Sequence, residues 1–280
     1  GIWSDEHIEG LRQISQACHK HGATVLIQIH HAGAKTPRDV AEVALAPSRY
    51  PEHTDTDRQV RELSVEEIKA IQQDFLKAAQ RAKEAGFDGV ELHGAHGYLI
   101  SQFASAITNK RTDQYGGPLE NRMRFALEII QQLKDNIDKD FIIGYRMGGN
   151  EPTLEIGIQI AKILESAGVD LLHVSAGISS PEFPQPQVPE GFPENSIVYC
   201  GAQIKNRVSV PVIVVNGIRT PQQAKYLVEN ELADMVAVGR GHLVDPDWAC
   251  KAINGSKVKP CLDCKRCLWH SDPDKCPGKN

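Results

Sequence analysis

Six short apolar runs, separated by helix-length segments, place the strongest constraint on the fold of this chain. The runs cover residues 24–30, 88–93, 141–146, 170–175, 210–216 and 234–239. The segments between them carry apolar residues at helical spacing, as after the capping box formed by Ser64 and Glu67. Because parallel strands are joined by helical crossovers of this length, the alternation predicts an α/β fold with a parallel sheet.

A turn motif recurs before the strands. Ala85-Gly86-Phe87-Asp88 and Ala167-Gly168-Val169-Asp170 share the pattern Ala-Gly-apolar-Asp, and Leu232-Ala233-Asp234 is a looser version. Glycine at this point is typical of a helix end, because it adopts the left-handed conformation without strain. Each copy therefore predicts a helix end, a short turn and a buried strand.

Two sheets fit this alternation, a doubly wound open sheet and a TIM (β/α)8 barrel. No glycine-rich dinucleotide fingerprint follows the first strand, which weakens the open-sheet interpretation. We predict a partial barrel over residues 1–253, with six of the eight βα units, and a Cys-rich tail over residues 254–280. The long loops 32–63 and 177–199 follow strand ends and are expected to be lids or pocket walls.

Composition and charge exclude several classes of protein. The chain has 280 residues, and no apolar run approaches the roughly 18 residues of a membrane span. The net charge of -5 argues against a nucleic-acid partner, which usually needs a basic stripe. No signal segment opens the chain, and the isolated Cys18, Cys200 and Cys250 are typical of buried cytosolic thiols. We expect a cytoplasmic protein without nucleic-acid or membrane partners, and a homo-oligomer stays an open alternative to a monomer.

The residues at the strand ends form a polar set. In a parallel barrel the chemistry lies at the carboxyl ends of the strands. The residues there are Gln28, His30, His93, Arg146, Ser175, Asn216, Gly217, Gly239 and Arg240. The set lacks lysine, which argues against a Schiff-base aldolase, and its few carboxylates argue against a divalent-metal hydrolase.

Two glycine-containing turns follow the last two strands. Asn216-Gly217 and Gly239-Arg240-Gly241 stand where barrels commonly bind a phosphate through backbone N–H groups. Each alone fits an ordinary turn or a surface cation, but the two together favour a phosphate site. Arg146 would face a carboxylate or an anionic part of a ligand. Gln28 would satisfy a buried backbone group or bind the edge of a heterocycle.

The segment His93-Gly-Ala-His96-Gly-Tyr98 is the densest functional cluster. A metal site would usually add a carboxylate and lack the tyrosine, and ordinary core packing is the other structural explanation. Neutral imidazoles donate well to a carbonyl oxygen that gains negative charge, and a nearby tyrosine hydroxyl can supply a proton. The cluster therefore favours acid–base chemistry.

Several segments resemble the Old Yellow Enzyme family of FMN-dependent ene-reductases. They are Gln28-Ile-His-His-Ala-Gly33, residues 89–103, residues 109–117 with Glu120-Asn-Arg122, and Val238-Gly-Arg240 with Asp245-Pro246. The similarity runs in one unbroken order from Gly1 to about Ile253, and its middle block is long and specific.

The resemblance implies a TIM barrel that holds FMN non-covalently at its C-terminal mouth. By motif, the implied cofactor-binding residues are Gln28, Arg146, Asn216, Gly217, Gly239 and Arg240. Gln28 would contact the flavin pyrimidine ring, Arg146 would lie near N1 and O2, and the last four would surround the phosphate. His93 and His96 would bind the substrate carbonyl, and Tyr98 would donate a proton. The implied reaction passes hydride from NAD(P)H through FMN to the C=C bond of an α,β-unsaturated carbonyl, a small-molecule enone.

The start of the chain departs from the family pattern. The family has two βα units before the segment that matches Gly1, on the order of 60 residues. We therefore expect the chain to be a fragment of a longer protein.

The tail carries four cysteines at close spacing. Cys261, Cys264, Cys267 and Cys276 give the pattern C-x2-C-x2-C-x8-C. Four thiolates at this spacing suit an iron–sulfur cluster or a structural zinc, and free thiols are the third option. The resemblance to the 2,4-dienoyl-CoA reductase-like branch of the family favours a [4Fe–4S] cluster.

Two other functions compete with a flavin oxidoreductase. A barrel lyase or isomerase would place a phosphorylated substrate in the same phosphate site, but it leaves Gln28 and Arg146 unexplained. A non-catalytic barrel remnant would bind metal or partners through its tail, but the complete set of His93, His96 and Tyr98 opposes it.

Overall fold

The computed structural model describes residues 1–49, 59–178 and 186–279. Its strands are β1 (Leu26–Ile29), β2 (Val43–Ala46), β3 (Gln59–Glu62), β4 (Gly89–Gly94), β5 (Ile142–Gly148), β6 (Leu171–Ser175), β7 (Val212–Val215) and β8 (Met235–Ala237). Six of them form one parallel sheet in the order β1-β4-β5-β6-β7-β8. The predicted parallel α/β fold is confirmed. Its closure into an eight-stranded barrel, with six units in this chain, stays a prediction.

Helices cover the segments between the strands. They are α1 (Ile8–His19), α2 (Val65–Glu84), α3 (Leu99–Ala104), α4 (Leu119–Asn136), α5 (Leu154–Ser166), α6 (Ser196–Lys205), α7 (Pro221–Glu229), α8 (Arg240–Val244) and α9 (Trp248–Ile253). The predicted capping box at Ser64 and Glu67 is confirmed, with both reciprocal hydrogen bonds present. The apolar faces of the helices pack on the sheet, and Phe75 of α2, Leu92 of β4 and Leu164 of α5 belong to the same buried core.

The recurring aspartate clamps pairs of neighbouring strands together. The backbone N–H of Asp88 donates to the carbonyl of Val25, and the carboxylate of Asp88 accepts from the N–H of the same residue at 2.7 Å. Asp170 forms the same two bonds with Ile143, again with 2.7 Å between carboxylate and N–H. Each clamp fixes the register of a parallel pair, because its two bonds lock one residue to one partner.

The third copy of the motif does the same. Asp234 donates its N–H to the carbonyl of Val212, and its carboxylate accepts from the N–H of Val212 at 2.8 Å. Gly86 and Gly168 both have φ of 81°, so the turn before the first two clamps needs the left-handed conformation. The sequence identified the turn, and the structure shows that the aspartate also connects the strands.

The predicted loops contain regular structure. The loop 32–63 includes the parallel pair of β2 and β3, and residues 50–58 lie outside the described part of the chain. The buried guanidinium of Arg111 donates to the carbonyls of Pro47 and Leu63 at 2.9 and 2.6 Å, and it also pairs with Asp113. Through these contacts Arg111 attaches the strand pair β2–β3 to the segment 109–117. The loop 177–199 ends in the first turn of α6, and residues 179–185 are likewise outside the description.

Within the described residues, no helix has both the length and the apolar character needed to cross a membrane.

Removing one clamp should lower stability in a measurable way. We expect Asp170→Ala to lower the free energy of unfolding by roughly 1 kcal/mol, because the Ile143 N–H loses a charged acceptor. Asp170→Asn keeps an acceptor and should lose less. Urea denaturation measures both, with Asp140→Ala in the exposed turn before β5 as the control. Equal losses in Asp170→Ala and the control would contradict the clamp.

Candidate active site

The carboxyl ends of the strands surround a cleft of about 370 Å³. The predicted catalytic and cofactor-binding residues that line it are His96, Arg146, Asn216, Gly217, Gly239 and Arg240. The other three residues of these two groups, Gln28, His93 and Tyr98, are not part of this lining. They connect to it through the contacts described below.

A sharp turn after β4 gathers the predicted acid–base residues. His93 lies in β4, and His96 and Gly97 follow with φ of 60° and 70°. The ring centroid of His93 is then 5.0 Å from that of His96 and 4.9 Å from that of Tyr98. Ser101 stabilises the turn by accepting from the N–H of Gly97 at 2.9 Å. The structure therefore brings the three residues together, as the sequence predicted for neighbours at a strand end.

His30 joins this cluster from the end of β1. Its ring centroid is 5.0 Å from that of Tyr98 and 6.1 Å from that of His93. The loop after β1 is held in place because the N–H of Leu99 donates to the carbonyl of His31 at 3.0 Å. The sequence placed His30 at a strand end but gave it no role; its position beside Gln28 on the same face of β1 was the available signal.

Burial keeps the central histidines neutral. Burial lowers the pKa of His93 to about 3, with further lowering from the charges of His96 and Arg146. Burial and the charge of Arg146 lower the pKa of His96 to about 4. At neutral pH each ring therefore carries one N–H donor and no net charge. Nε2 of His96 is hydrogen-bonded to the Ser175 hydroxyl at 2.7 Å.

Arg146 places a cation at the floor of the cleft. Its Nε is buried and has no hydrogen-bond partner among the described residues, while Nη2 lies 3.5 Å from the Ser175 hydroxyl oxygen. Burial lowers the pKa of Arg146, and the carboxylate of Glu91 raises it in part. A half-buried guanidinium whose buried Nε has no partner is typical of a site that binds an acceptor from a ligand.

Gln28 lies in β1 and contacts a carboxylate that the sequence analysis did not single out. Its amide donates to Oε1 of Glu91 at 2.5 Å. The other oxygen of Glu91 lies 2.8 Å from Nδ1 of His173 in β6. A polar network therefore crosses the inner face of the sheet from β1 to β6. Alternation along β4 was the available signal, since Glu91 and His93 face the same side.

The predicted phosphate residues lie at the opposite end of the cleft. Asn216 and Gly217 have φ of 104° and 73°, and Gly239 precedes the first turn of α8. The guanidinium of Arg240 already has an anionic partner in this chain, because its Nη1 donates to the carboxylate of Asp263 at 2.6 Å. Arg219, which the sequence analysis missed, pairs with the same carboxylate.

The cysteine tail reaches this end of the cleft. Cys261 is among the lining residues, and Asp263 stands between it and Cys264 with φ of 53°. In the described part of the chain, no three His, Cys, Asp or Glu side chains are placed so that they could hold a metal ion. The structure therefore does not assemble Cys261, Cys264, Cys267 and Cys276 into a metal site, and their role as ligands stays a prediction.

Comparison with known proteins identifies the family. Residues 1–258 match the model of the NADH:flavin oxidoreductase / NADH oxidase family. The chain belongs to this family. The resemblance to the Old Yellow Enzyme family found in the sequence is thereby confirmed.

Individual relatives agree with this assignment. The NADH oxidase of Thermoanaerobacter brockii is 45% identical over 269 residues, which are 93% of this chain and 41% of that protein. A structure of 2-naphthoyl-CoA reductase superposes with a TM-score of 0.84 at 26% identity, covering 95% of this chain and 44% of that one. The old yellow enzyme homologue of Zymomonas mobilis gives 0.76 at 28% identity, covering 94% and 76%. The chain thus spans about two fifths of the length of the NADH oxidase.

The neutral histidines predict a specific loss of stability in acid. The pKa of each ring is lower in the folded protein than the ordinary 6.5, so protonation favours the unfolded chain as the pH falls from 6.5 toward about 4. We expect the double variant His93→Gln/His96→Gln to show a flatter decline over this range in urea denaturation. His21→Gln, at an exposed site, should keep the original slope. If stability declines equally steeply with falling pH in the parent, the double variant and His21→Gln, the prediction that His93 and His96 are neutral is contradicted.

Proposed function

We propose that this chain is the FMN-binding part of an NAD(P)H-dependent oxidoreductase that reduces the C=C bond of an α,β-unsaturated carbonyl. The observation that carries the proposal is the arrangement of two neutral histidines and a tyrosine beside a half-buried arginine whose buried Nε has no partner among the described residues. The similarity to a reductase of 2-naphthoyl-CoA, whose thioester is conjugated to its ring, supports a conjugated substrate.

The residues present fit FMN. Arg146 has a buried Nε without a partner among the described residues, as an acceptor on the flavin ring would require. Asn216 and Gly217 adopt positive φ, which turns the backbone into the cleft, and a Cβ added at Gly239 would meet no atom within 4 Å. These residues, with Gln28 and Arg240, would hold the ring and the phosphate. FMN, when bound, supplies the exchange of hydride between NAD(P)H and the substrate.

The histidines and the tyrosine act on the substrate. Neutral His93 and His96 would each donate an N–H to the carbonyl oxygen, which gains negative charge when hydride reaches Cβ. The hydroxyl of Tyr98 would then deliver a proton to Cα. Because both rings are neutral before the reaction, they stabilise developing charge without forming a resting ion pair with the substrate.

The tail is proposed to hold a [4Fe–4S] cluster, with zinc as the alternative. The support is the spacing of Cys261, Cys264, Cys267 and Cys276, four soft thiolate donors that suit either metal. The described arrangement does not itself form this site. We therefore assign no step of the reaction to it.

Replacing the proposed proton donor should separate the two half-reactions. We expect Tyr98→Phe to slow reduction of 2-cyclohexenone by about 10²–10⁴-fold, because the general acid is lost. Reduction of the bound FMN by NADPH should change little. Stopped-flow absorbance measures both steps, and Tyr226→Phe on the exposed face of α7 is the control. Equal enone rates in Tyr98→Phe and the parent would remove Tyr98 as donor, and a protein that binds no FMN would refute the function.

Metal analysis tests the tail. Protein purified without oxygen should contain iron and acid-labile sulfide, and Cys264→Ser should lower both because a ligand is lost. Cys250→Ser outside the cluster should leave the content unchanged. If the protein contains zinc and no sulfide, the tail holds a structural zinc instead of the cluster. If it contains neither iron nor zinc, the metal site is rejected.

A further inference from the structure

A carboxylate on the inner face of the sheet joins residues from three strands. Glu91 in β4 accepts from the amide of Gln28 in β1 at 2.5 Å and contacts Nδ1 of His173 in β6 at 2.8 Å. The side chains of Glu91 and His173 are only 14% and 11% exposed. Gly144 occupies the register position beside Glu91 on β5, so the intervening strand places no side chain there.

The chemistry of the contact fixes the orientation of Gln28. An ionised carboxylate only accepts hydrogen bonds, so the amide must turn its NH2 group toward Glu91. The amide carbonyl oxygen of Gln28 is then directed away from Glu91 and is free to serve as an acceptor. The flavin pyrimidine edge carries an N3–H donor, which such an acceptor complements. Without Glu91 the Gln28 amide could turn either its NH2 group or its carbonyl oxygen toward the flavin. The carbonyl oxygen would then no longer be the acceptor in every molecule.

Glu91 remains an anion in this position. Burial pushes its pKa upward, but hydrogen bonds from His173 and Gln28 and the charge of Arg146 outweigh burial and leave the pKa below the usual 4.5. Glu91 therefore also balances part of the positive charge of Arg146 beneath the cleft. Its loss would change both the orientation of Gln28 and the potential around Arg146.

We propose that Glu91 is a positioning residue for flavin: it holds the Gln28 amide with its carbonyl oxygen presented to the pyrimidine edge, without touching the flavin itself. The proposal rests on the proposed function, because it presumes that Gln28 meets the ring. It predicts that Glu91 influences ring binding through Gln28 and has no effect on phosphate binding.

The test is a double-mutant cycle on flavin affinity. Apo-protein is titrated with riboflavin, which lacks the phosphate, and with FMN, and binding is followed by flavin fluorescence. Glu91→Gln should weaken the binding of both flavins by about tenfold, which corresponds to the loss of one charge-assisted hydrogen bond. The ratio of the FMN and riboflavin affinities should stay unchanged. In a Gln28→Leu background, Glu91→Gln should have almost no further effect, because its target is gone.

A second readout excludes a merely structural role. The midpoint potential of bound FMN should rise in Glu91→Gln, because removing an anion near Arg146 favours the more negative reduced flavin. The control is Glu128→Gln in α4, a carboxylate that also accepts several hydrogen bonds, from Lys69, Gln72 and Tyr115, but lies in the helical layer. It should alter the urea midpoint and leave riboflavin affinity and potential unchanged.

The possible failures are distinguishable. If the parent protein binds neither flavin, the proposed function fails and Glu91 loses its role with it. If the parent binds flavin but Glu91→Gln binds equally well, the positioning role alone is overturned. An equal loss in the Gln28→Leu background overturns it too, because Glu91 would then act independently of Gln28.

Discussion

The reciprocal clamp between an aspartate and the preceding strand is the interaction on which the rest of the structure depends. Asp88, Asp170 and Asp234 each exchange two hydrogen bonds with a single residue of the neighbouring strand. A parallel pair without such a clamp can slip by two residues and still bury the same face. The clamps prevent this slip in three of the strand pairs, so the carboxyl ends of the paired strands are aligned in a defined register. The cleft residues depend on this alignment, because they come from different strands.

An anionic network and a cation lie next to each other beside the cleft. Glu91, with Gln28 and His173, forms an anionic network at the inner face of the sheet. Arg146 places a cation next to it, and the same positive charge lowers the pKa of His93 and His96. One half-buried guanidinium therefore has two consequences: it presents a donor to the cleft, and it adds to the burial that keeps the imidazoles uncharged. Neutral donors fit the proposed carbonyl substrate, since a cationic ring would bind any anion that entered.

The other end of the cleft is shared with the tail. Asp263 bridges Arg219 and Arg240, so the two guanidiniums already have an anionic partner from the same chain. Both arginines are more than a third exposed, and ion pairs of this kind are weakened by solvent and salt. A phosphate at this end would meet guanidiniums that the tail also uses. The tail is thereby connected to the cleft by charge, in addition to the cysteines that suggested a metal.

The sequence by itself determined the fold class and most of the cluster around His93, His96 and Tyr98. Strand and helix periodicity, glycine turns and capping boxes are local properties, and residues no more than five positions apart at a strand end, such as His93 and Tyr98, are close in any parallel sheet. Only the tertiary structure decided which distant groups pair. The contacts of Glu91 with Gln28 and His173, and of Asp263 with Arg219 and Arg240, join residues 23 to 82 positions apart. No local pattern encodes such pairs, because they follow from the register of the sheet and from where the tail folds back onto it. The strands β2 and β3 were missed for the same reason: among the described residues they pair only with each other, and Arg111, from a distant segment, holds them.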